Sequence, residues 1–289
     1  MNYHHSFHAG NFADVFKHIF IVRILLYLCL KESPFRMIDT HAGEGFYDLN
    51  CEEASRTSEW REGIGRLVDC KGIDSSLIDL LQPYLSCVGI DDNHQTLNYY
   101  PGSPMIASRL MRQQDRAIFC ELHPESSSRL RRRFAYDKRI KSLHLDGYVG
   151  LGAFIPPKER RGLVLIDPPF EQKDEIATLL STFLLAYRKW PTGIYVIWYP
   201  IKDPDFDRKL REEIFKNKIP RTLRLSLAIG GQAVGLKNNG LLIVNPPYTL
   251  EDEARALMPF LTRLLARGEN AGYEMDWVLR EGEIERSSI

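Results

Sequence analysis

The sequence predicts an α/β fold: a mostly parallel sheet joined by right-handed helical crossovers. Three observations carry this expectation. Short apolar, strand-like runs alternate with stretches of helical periodicity over most of the chain. The first such run, residues 35–38, ends in Asp39 and feeds a glycine-bearing turn, Ala42-Gly43-Glu44-Gly45. An acid also ends each of the next three runs: Glu121, Asp146 and Asp167. A chain of 289 residues, 44% hydrophobic and 26% charged, suits one such domain, residues 1–289, with room for an insertion.

Each element has a local cause. Asn11 can cap a helix from Phe12 to about Leu30, with Asp14 in its first turn. Its most apolar part, IFIVRILLYLCL, is too short to span a bilayer and carries Arg23, so it reads as a buried helix. Residues 50–100 are rich in Glu, Asp and Ser, with helical periodicity at 60–68 and 77–85. That segment reads as a helical insertion, with Trp60 and residues 77–85 forming a small core. PGSPMIASRLMRQQD then places Ser103 and Pro104 at a helix start. Strands at 117–122 and 140–146 flank a helix bearing RLRRRF, and GLVLIDPPF is a strand ending in a rigid turn. A helix at 172–189, a strand at 193–200, a helix at 204–217, strands at 221–230 and 240–248, and a helix at 250–267 complete a sheet of seven strands.

Composition excludes some classes. The five cysteines are odd in number and form no C-x-x-C, which argues for a reducing compartment without disulfides or a thiolate zinc site. The N-terminus lacks the basic, apolar and small-residue series of a signal peptide, so a cytoplasmic protein with no membrane partner is expected. Formal net charge is zero, so a nucleic-acid partner would be held by a local patch and a shaped pocket. The stretch RLRRRFAYDKRIK, 129–141, has seven basic residues against one acid. It reads as a solvated helix face or as a phosphate-contacting patch, which salt dependence would separate.

The most informative stretch is Asp167-Pro168-Pro169-Phe170. In a parallel sheet, ligands bind beyond the carboxyl ends of the strands, where this turn sits. Two prolines remove amide donors and leave carbonyl acceptors. An exocyclic amine on a base lying against Phe170 needs acceptors for two N–H groups. The Asp167 carboxylate and the Pro168 carbonyl can supply them, which frees the nitrogen lone pair for attack. Phe170 would add stacking worth roughly 1–3 kcal/mol. Standing alone, the turn could equally be a strand end with an exposed acid. A second tetrapeptide of the amino-methylating type, Asn245-Pro246-Pro247-Tyr248, ends a late strand and reads as structural.

The other acids give the turn company. An acid ending the second strand, Glu121, ordinarily accepts ribose hydroxyls. Asp146-Gly147 can meet an adenine amino group. With Asp39, Gly43 and Gly45, the set describes an adenosine-containing cofactor site. Glu121 follows Gly45 by 76 residues, against about 20 in a simple dinucleotide fold. Removing residues 50–100 leaves 25, close to that value. DTHAGEG lacks the full G-x-G-x-x-G pattern, which disfavours a nicotinamide enzyme.

In order, YHHSFHAGNFADVFKH, DTHAGEGFYDL, YYPGSPMIA, ELHP, DG and LIDPPF closely resemble the J-type methyltransferases of large-subunit (23S) ribosomal RNA. The resemblance covers nearly the whole chain. It implies a class I (Rossmann-like) methyltransferase fold with a helical insertion, and methyl transfer from S-adenosylmethionine to N6 of one adenine. It implies that His18, His41, Ser103, Glu121, Asp146 and Gly147 line the cofactor site with Lys17 beside it. Asp167 would be the catalytic acceptor, and Tyr3 would approach the substrate adenine. Phe170 stands where related enzymes often carry Tyr, so the ring can still stack but offers no hydroxyl to the substrate.

Four histidines fall within the first eighteen residues: His4, His5, His8 and His18. His18 and His41 read as cofactor-pocket groups, while His4, His5 and His8 would order the segment bearing Tyr3. His4 and His8 are four apart, but zinc needs three or four ligands and no further one has an obvious spacing, so no metal is expected. A cytosine C5 mechanism needs a cysteine near the site, and Cys120 should point to the strand face opposite Glu121. The rival readings are a DNA adenine or protein glutamine methyltransferase, and a non-catalytic RNA-binding assembly factor. The expected partner is large-subunit RNA, naked or in an early assembly particle, met by a monomer.

Overall fold

The computed structural model describes residues 4–90, 97–172, 174–231 and 235–281. Asn11 accepts from the amides of Ala13 and Asp14 and so caps the first helix, α1 (Phe12–Cys29). This helix is apolar on every side and is buried along most of its length, as such a helix must be. Among the described residues no helix is long and apolar enough to cross a membrane.

The chain then forms β1 (Arg36–Asp39) and a short strand β2 (Phe46–Asp48). Helices α2 (Glu52–Thr57), α3 (Ile64–Val68) and α4 (Ser75–Val88) come next, followed by β3 (Tyr99–Pro101) and α5 (Ser103–Leu110). Strands β2 and β3 pair antiparallel, Phe46 with Pro101 and Asp48 with Tyr99, so the chain leaves for the 50–100 segment and returns at one place. Its apolar side chains do not form a core apart. Ile64, Leu67, Leu81 and Tyr84 are buried in one cluster with Phe16, Ile106 and Phe119.

The second half alternates strand and helix: β4 (Arg116–Glu121), α6 (Pro124–Arg133), β5 (Ile140–His144), α7 (Gly147–Phe154), β6 (Gly162–Ile166) and α8 (Glu175–Lys189). It closes with β7 (Ile194–Pro200), α9 (Pro204–Lys216), β8 (Thr222–Ala228), β9 (Asn238–Val244), α10 (Leu250–Leu265) and β10 (Gly272–Leu279). The main sheet has the order β10-β8-β9-β7-β6-β1-β4-β5. Strands β5, β4, β1, β6 and β7 are parallel, whereas β9 runs antiparallel to both β7 and β8.

The sheet has eight strands where seven are expected. The additional one, β10, pairs antiparallel with β8 at the edge. Its sequence alternates: Met275 and Trp277 pack on the core, while Glu274 and Asp276 each reach Arg224 of β8 at 2.8 Å. The alternate acids make the stretch polar on average, which hides a strand whose only signal is its period of two.

Two apolar layers cover the sheet. Leu163, Leu165 and Val196 face one, with α1, α4, α5 and α10; Val164, Ile166, Ile197 and Tyr199 face the other, with α7, α8 and α9. This parity decides where the strand-end side chains point.

Candidate active site

Asp39, Glu121 and Asp167 each continue the register of core residues on the α1 and α5 side: Met37, Phe119 and Leu165. One cavity of about 900 Å³ opens there, above the carboxyl ends of the parallel strands. Lys17, His18, His41, Gly43, Ser103, Glu121, Asp146, Gly147, Asp167 and Pro168 all line it.

The charged centre is a triad. Lys17 Nζ lies 2.5 Å from Asp167 Oδ2 and 2.9 Å from Asp14 Oδ1, with Trp198 beneath it at 5.6 Å. Burial opposes the Lys17 charge, but the two carboxylates outweigh it and raise the ammonium above its ordinary range. Burial likewise opposes a charged Asp14, yet His5 and Lys17 hold it well below the usual carboxylate range. Asp14 is absent from the sequence-derived site. Its signal lay in the spacing: an acid three residues from a lysine on a helix otherwise apolar all round must be paired to be buried.

Asp39 lies behind the cavity wall and is fully buried. Its Oδ2 accepts from Ser103 Oγ at 2.6 Å and its Oδ1 from the His41 amide at 3.2 Å, so it reaches the cavity through them. Burial, helped by the Asp167 charge, pushes Asp39 up to about 7. Burial also holds His41 down to about 4 and His18 down to about 3, so both rings are neutral near pH 7. His18 Nδ1 shares a hydrogen bond of 2.7 Å with Tyr100 Oη, which meets Tyr84 Oη at 2.9 Å.

At the far end, Glu121 accepts from the Gly43 amide at 2.8 Å and from the His123 amide at 2.6 Å. Burial pushes its carboxyl up. Gly43 adopts φ of 61°, and a Cβ there would sit 2.1 Å from Tyr47 Oη, so only glycine keeps this turn. Asp146 Oδ1 caps α7 through the Tyr148 and Val149 amides; Oδ2 has no protein partner among the described residues. A Cβ on Gly147 would lie 2.1 Å from the Thr40 carbonyl, so glycine lets α7 start against the end of β1. Tyr148 donates to Glu175 at 2.7 Å and contacts the His41 ring. Cys120 faces α7, away from Glu121.

The N-terminal histidines fasten their segment over the cavity. His5 Nε2 lies 2.8 Å from Asp14, His8 Nδ1 lies 3.0 Å from Glu59, and the His4 ring meets His123. Glu59 also accepts from Asn11, which ties the 50–100 segment to the same corner. Tyr3 lies outside the described residues.

Phe170 is placed differently from the expectation of a stacking ring in the cavity. At φ of 51° it turns into a cluster with Trp198 and Phe206. Of these three rings, Trp198, held by its indole N–H to Asn239 at 3.0 Å, is the one that lines the cavity. The Asn245 turn lies elsewhere. Because β9 opposes β7, it ends beside the start of β7, where the Asn245 amide donates to the Pro191 and Gly193 carbonyls at 2.8 Å each.

Residues 32–279 match the family model described as ribosomal RNA large subunit methyltransferase D, RlmJ. The chain belongs to the RlmJ family. Its relatives include the ribosomal RNA large subunit methyltransferase J of Haemophilus influenzae, 38% identical over 97% of this chain and 100% of that one. The protein of that name from Escherichia coli K12 is 36% identical over the same shares. The crystal structure of a Legionella pneumophila protein superposes with a TM-score of 0.84 at 35% identity, covering 93% of this chain and 98% of that one. This chain is thus a methyltransferase of class I architecture, with β10 at the sheet edge.

Proposed function

We propose that this protein transfers a methyl group from S-adenosylmethionine to N6 of an adenine in large-subunit ribosomal RNA. The observation that carries the reading is the Asp167 carboxylate. It opens on the same cavity as Glu121 and Asp146, with one oxygen held by Lys17.

The residues present fit such a cofactor. Glu121 is a buried acceptor whose oxygens keep lone pairs beyond their two amide bonds, as paired ribose hydroxyls require. Asp146 Oδ2 is an unengaged acceptor for an adenine amino group. When bound, the cofactor supplies a methyl group on a positively charged sulfur, already activated for displacement.

The chain's own residues orient and polarise. Lys17 fixes Asp167 through Oδ2, which leaves Oδ1 to accept one N–H of the target amine. The Pro168 carbonyl accepts no hydrogen bond from the described residues and takes the other. Two accepted bonds favour a pyramidal nitrogen and aim its lone pair. Such alignment can supply roughly 7–11 kcal/mol at its limit. Asp167 acts electrostatically during transfer and accepts the proton that leaves afterwards. Trp198, backed by Phe170, gives the flipped base its aromatic wall. Neutral His18 and His41 add no second cation beside the sulfonium. Residues 50–100 act as an insertion within a single domain, and the protein works as a cytoplasmic monomer on naked RNA or an early assembly particle.

Incubation with tritiated S-adenosylmethionine and rRNA lacking the modification tests this. N6-methyladenosine in the digested product is expected; cofactor binding without label in RNA would overturn it.

A further inference from the structure

We propose that a groove beside the active-site cavity binds a nucleotide of single-stranded RNA flanking the target base. Its phosphate would lie on Arg132 and Arg133 and its base on Tyr99. The inference rests on the RNA reading above and goes beyond it.

Helix α6 buries Ser127 and Leu130 and turns its arginines outward. Together with the β2–β3 ladder it encloses a groove of about 640 Å³, within the size range of small-ligand sites. Tyr99 stacks on Phe46 at 5.3 Å with 18° between the planes, and half of it remains exposed. The Arg133 guanidinium lies 4.7 Å from the Phe46 ring. Arg129 is closed on Glu44 at 3.0 Å, whereas Arg132 and Arg133 form no ion pair among the described residues. Cations in the last turn stabilise a helix, which accounts for some of the charge. It does not account for an aromatic pair open to solvent beside them. Such a platform with adjacent cations is the arrangement that binds single strands, by stacking and by phosphate contact.

Asp48, the cross-strand partner of Tyr99, and Glu53 also line the groove. A purely anionic partner would meet repulsion there, while a base offers N–H donors to those carboxylates. The groove adjoins the active-site cavity, since Glu44 and Tyr47 line both. A strand whose adenine enters the cavity therefore has a neighbour within reach of Tyr99.

The test uses the full chain, its Arg132→Glu and Tyr99→Ala variants, and an unmodified large-subunit rRNA fragment. Each substitution is expected to raise the RNA Kd, and the KM for methyl transfer, about tenfold, the effect falling on KM rather than kcat. Arg132→Glu should also reduce the slope of log K against log salt by about one or more. Calorimetric affinity for S-adenosylmethionine serves as the folding control; should Tyr99→Ala fail it, the exposed Arg132 site decides. Unchanged Kd, KM and salt slope would overturn the groove. A wild-type protein that binds the fragment without methylating adenine would overturn the function instead, and weaker binding by the variants would still support the groove.

Discussion

Lys17 and Asp167, 150 residues apart in the chain, meet side chain to side chain at 2.5 Å. The contact follows from strand parity: Asp167 is one step past Ile166, so it points to the α1 side, where Lys17 also holds Asp14. Lys17→Met would leave the partly buried Asp167 without its cation and the buried Asp14 with His5 alone. Unfolding in urea should report a destabilisation of about 3–5 kcal/mol. Adding Asp14→Asn to that variant should recover part of it. Strict additivity of the two substitutions would show that the ion pair is not coupled.

The two proline turns should separate cleanly by mutation. Asp167→Asn keeps volume but removes the anionic acceptor, so methyl transfer should fall by roughly 10²–10³-fold with cofactor affinity retained. Asn245→Ala deletes two hydrogen bonds to backbone carbonyls at a residue with φ of 54°. It should cost about 1–3 kcal/mol of stability and leave kcat in place. Single-turnover rates and melting curves on both variants check this; a collapse of kcat in Asn245→Ala would reverse the assignment.

Asp39 gives stability an unusual pH dependence. Burial lifts it from 3.8 to about 7, so the folded chain keeps a proton that the unfolded chain releases across that interval. Its contribution is fully present below 3.8 and is lost as pH rises to about 7. His18 and His41, lowered by burial, act in the opposite sense: their contribution is present above 6.5 and lost as pH falls through about 4 for His41 and about 3 for His18. Asp39→Asn removes only the first effect. Between pH 4 and 7 its stability relative to wild type should improve by up to roughly 4 kcal/mol in denaturant titrations. A difference independent of pH would show that Asp39 is ionised throughout.

The sheet edge depends on Arg224, which is almost fully buried and pairs with Asp207 of α9 as well as Glu274 and Asp276 of β10. Asp207 also accepts from Tyr199 at 2.7 Å. Arg224→Met leaves the buried Asp207 with only Tyr199 and the half-exposed Arg211, and should cost about 3 kcal/mol, the low end for a broken buried pair. Asp276→Asn, at a half-exposed position, should cost about 1 kcal/mol or less. Hydrogen exchange would show β10 opening first in the Arg224 variant.

Much of the fold was legible because strands and helices here have unmixed signals. A short, fully buried run such as LVLI, closed by two prolines, reads as a strand rather than a helix, and Asn11 marks the start of α1 without ambiguity. Elements held by partners far away in sequence were not legible. Strands β2 and β3 are three residues each and exist because they pair with one another. The 50–100 segment looked independent of the rest, since nothing in its composition says that Tyr84 will meet Tyr100, which in turn meets His18. At the site, the strand-end acids could be read from register alone. The direction of Phe170 could not, because a positive φ at a non-glycine residue leaves no mark in the sequence.

Strand direction has a consequence for how such proteins are recognised. DPPF and NPPY differ in two letters, yet here they stand at opposite poles of one sheet because β6 points up and β9 points down. A genome survey that scores the tetrapeptide alone cannot tell these poles apart. Adding only the polarity of the preceding strand, which a topology forecast supplies, would sort the two turns without any knowledge of the ligand.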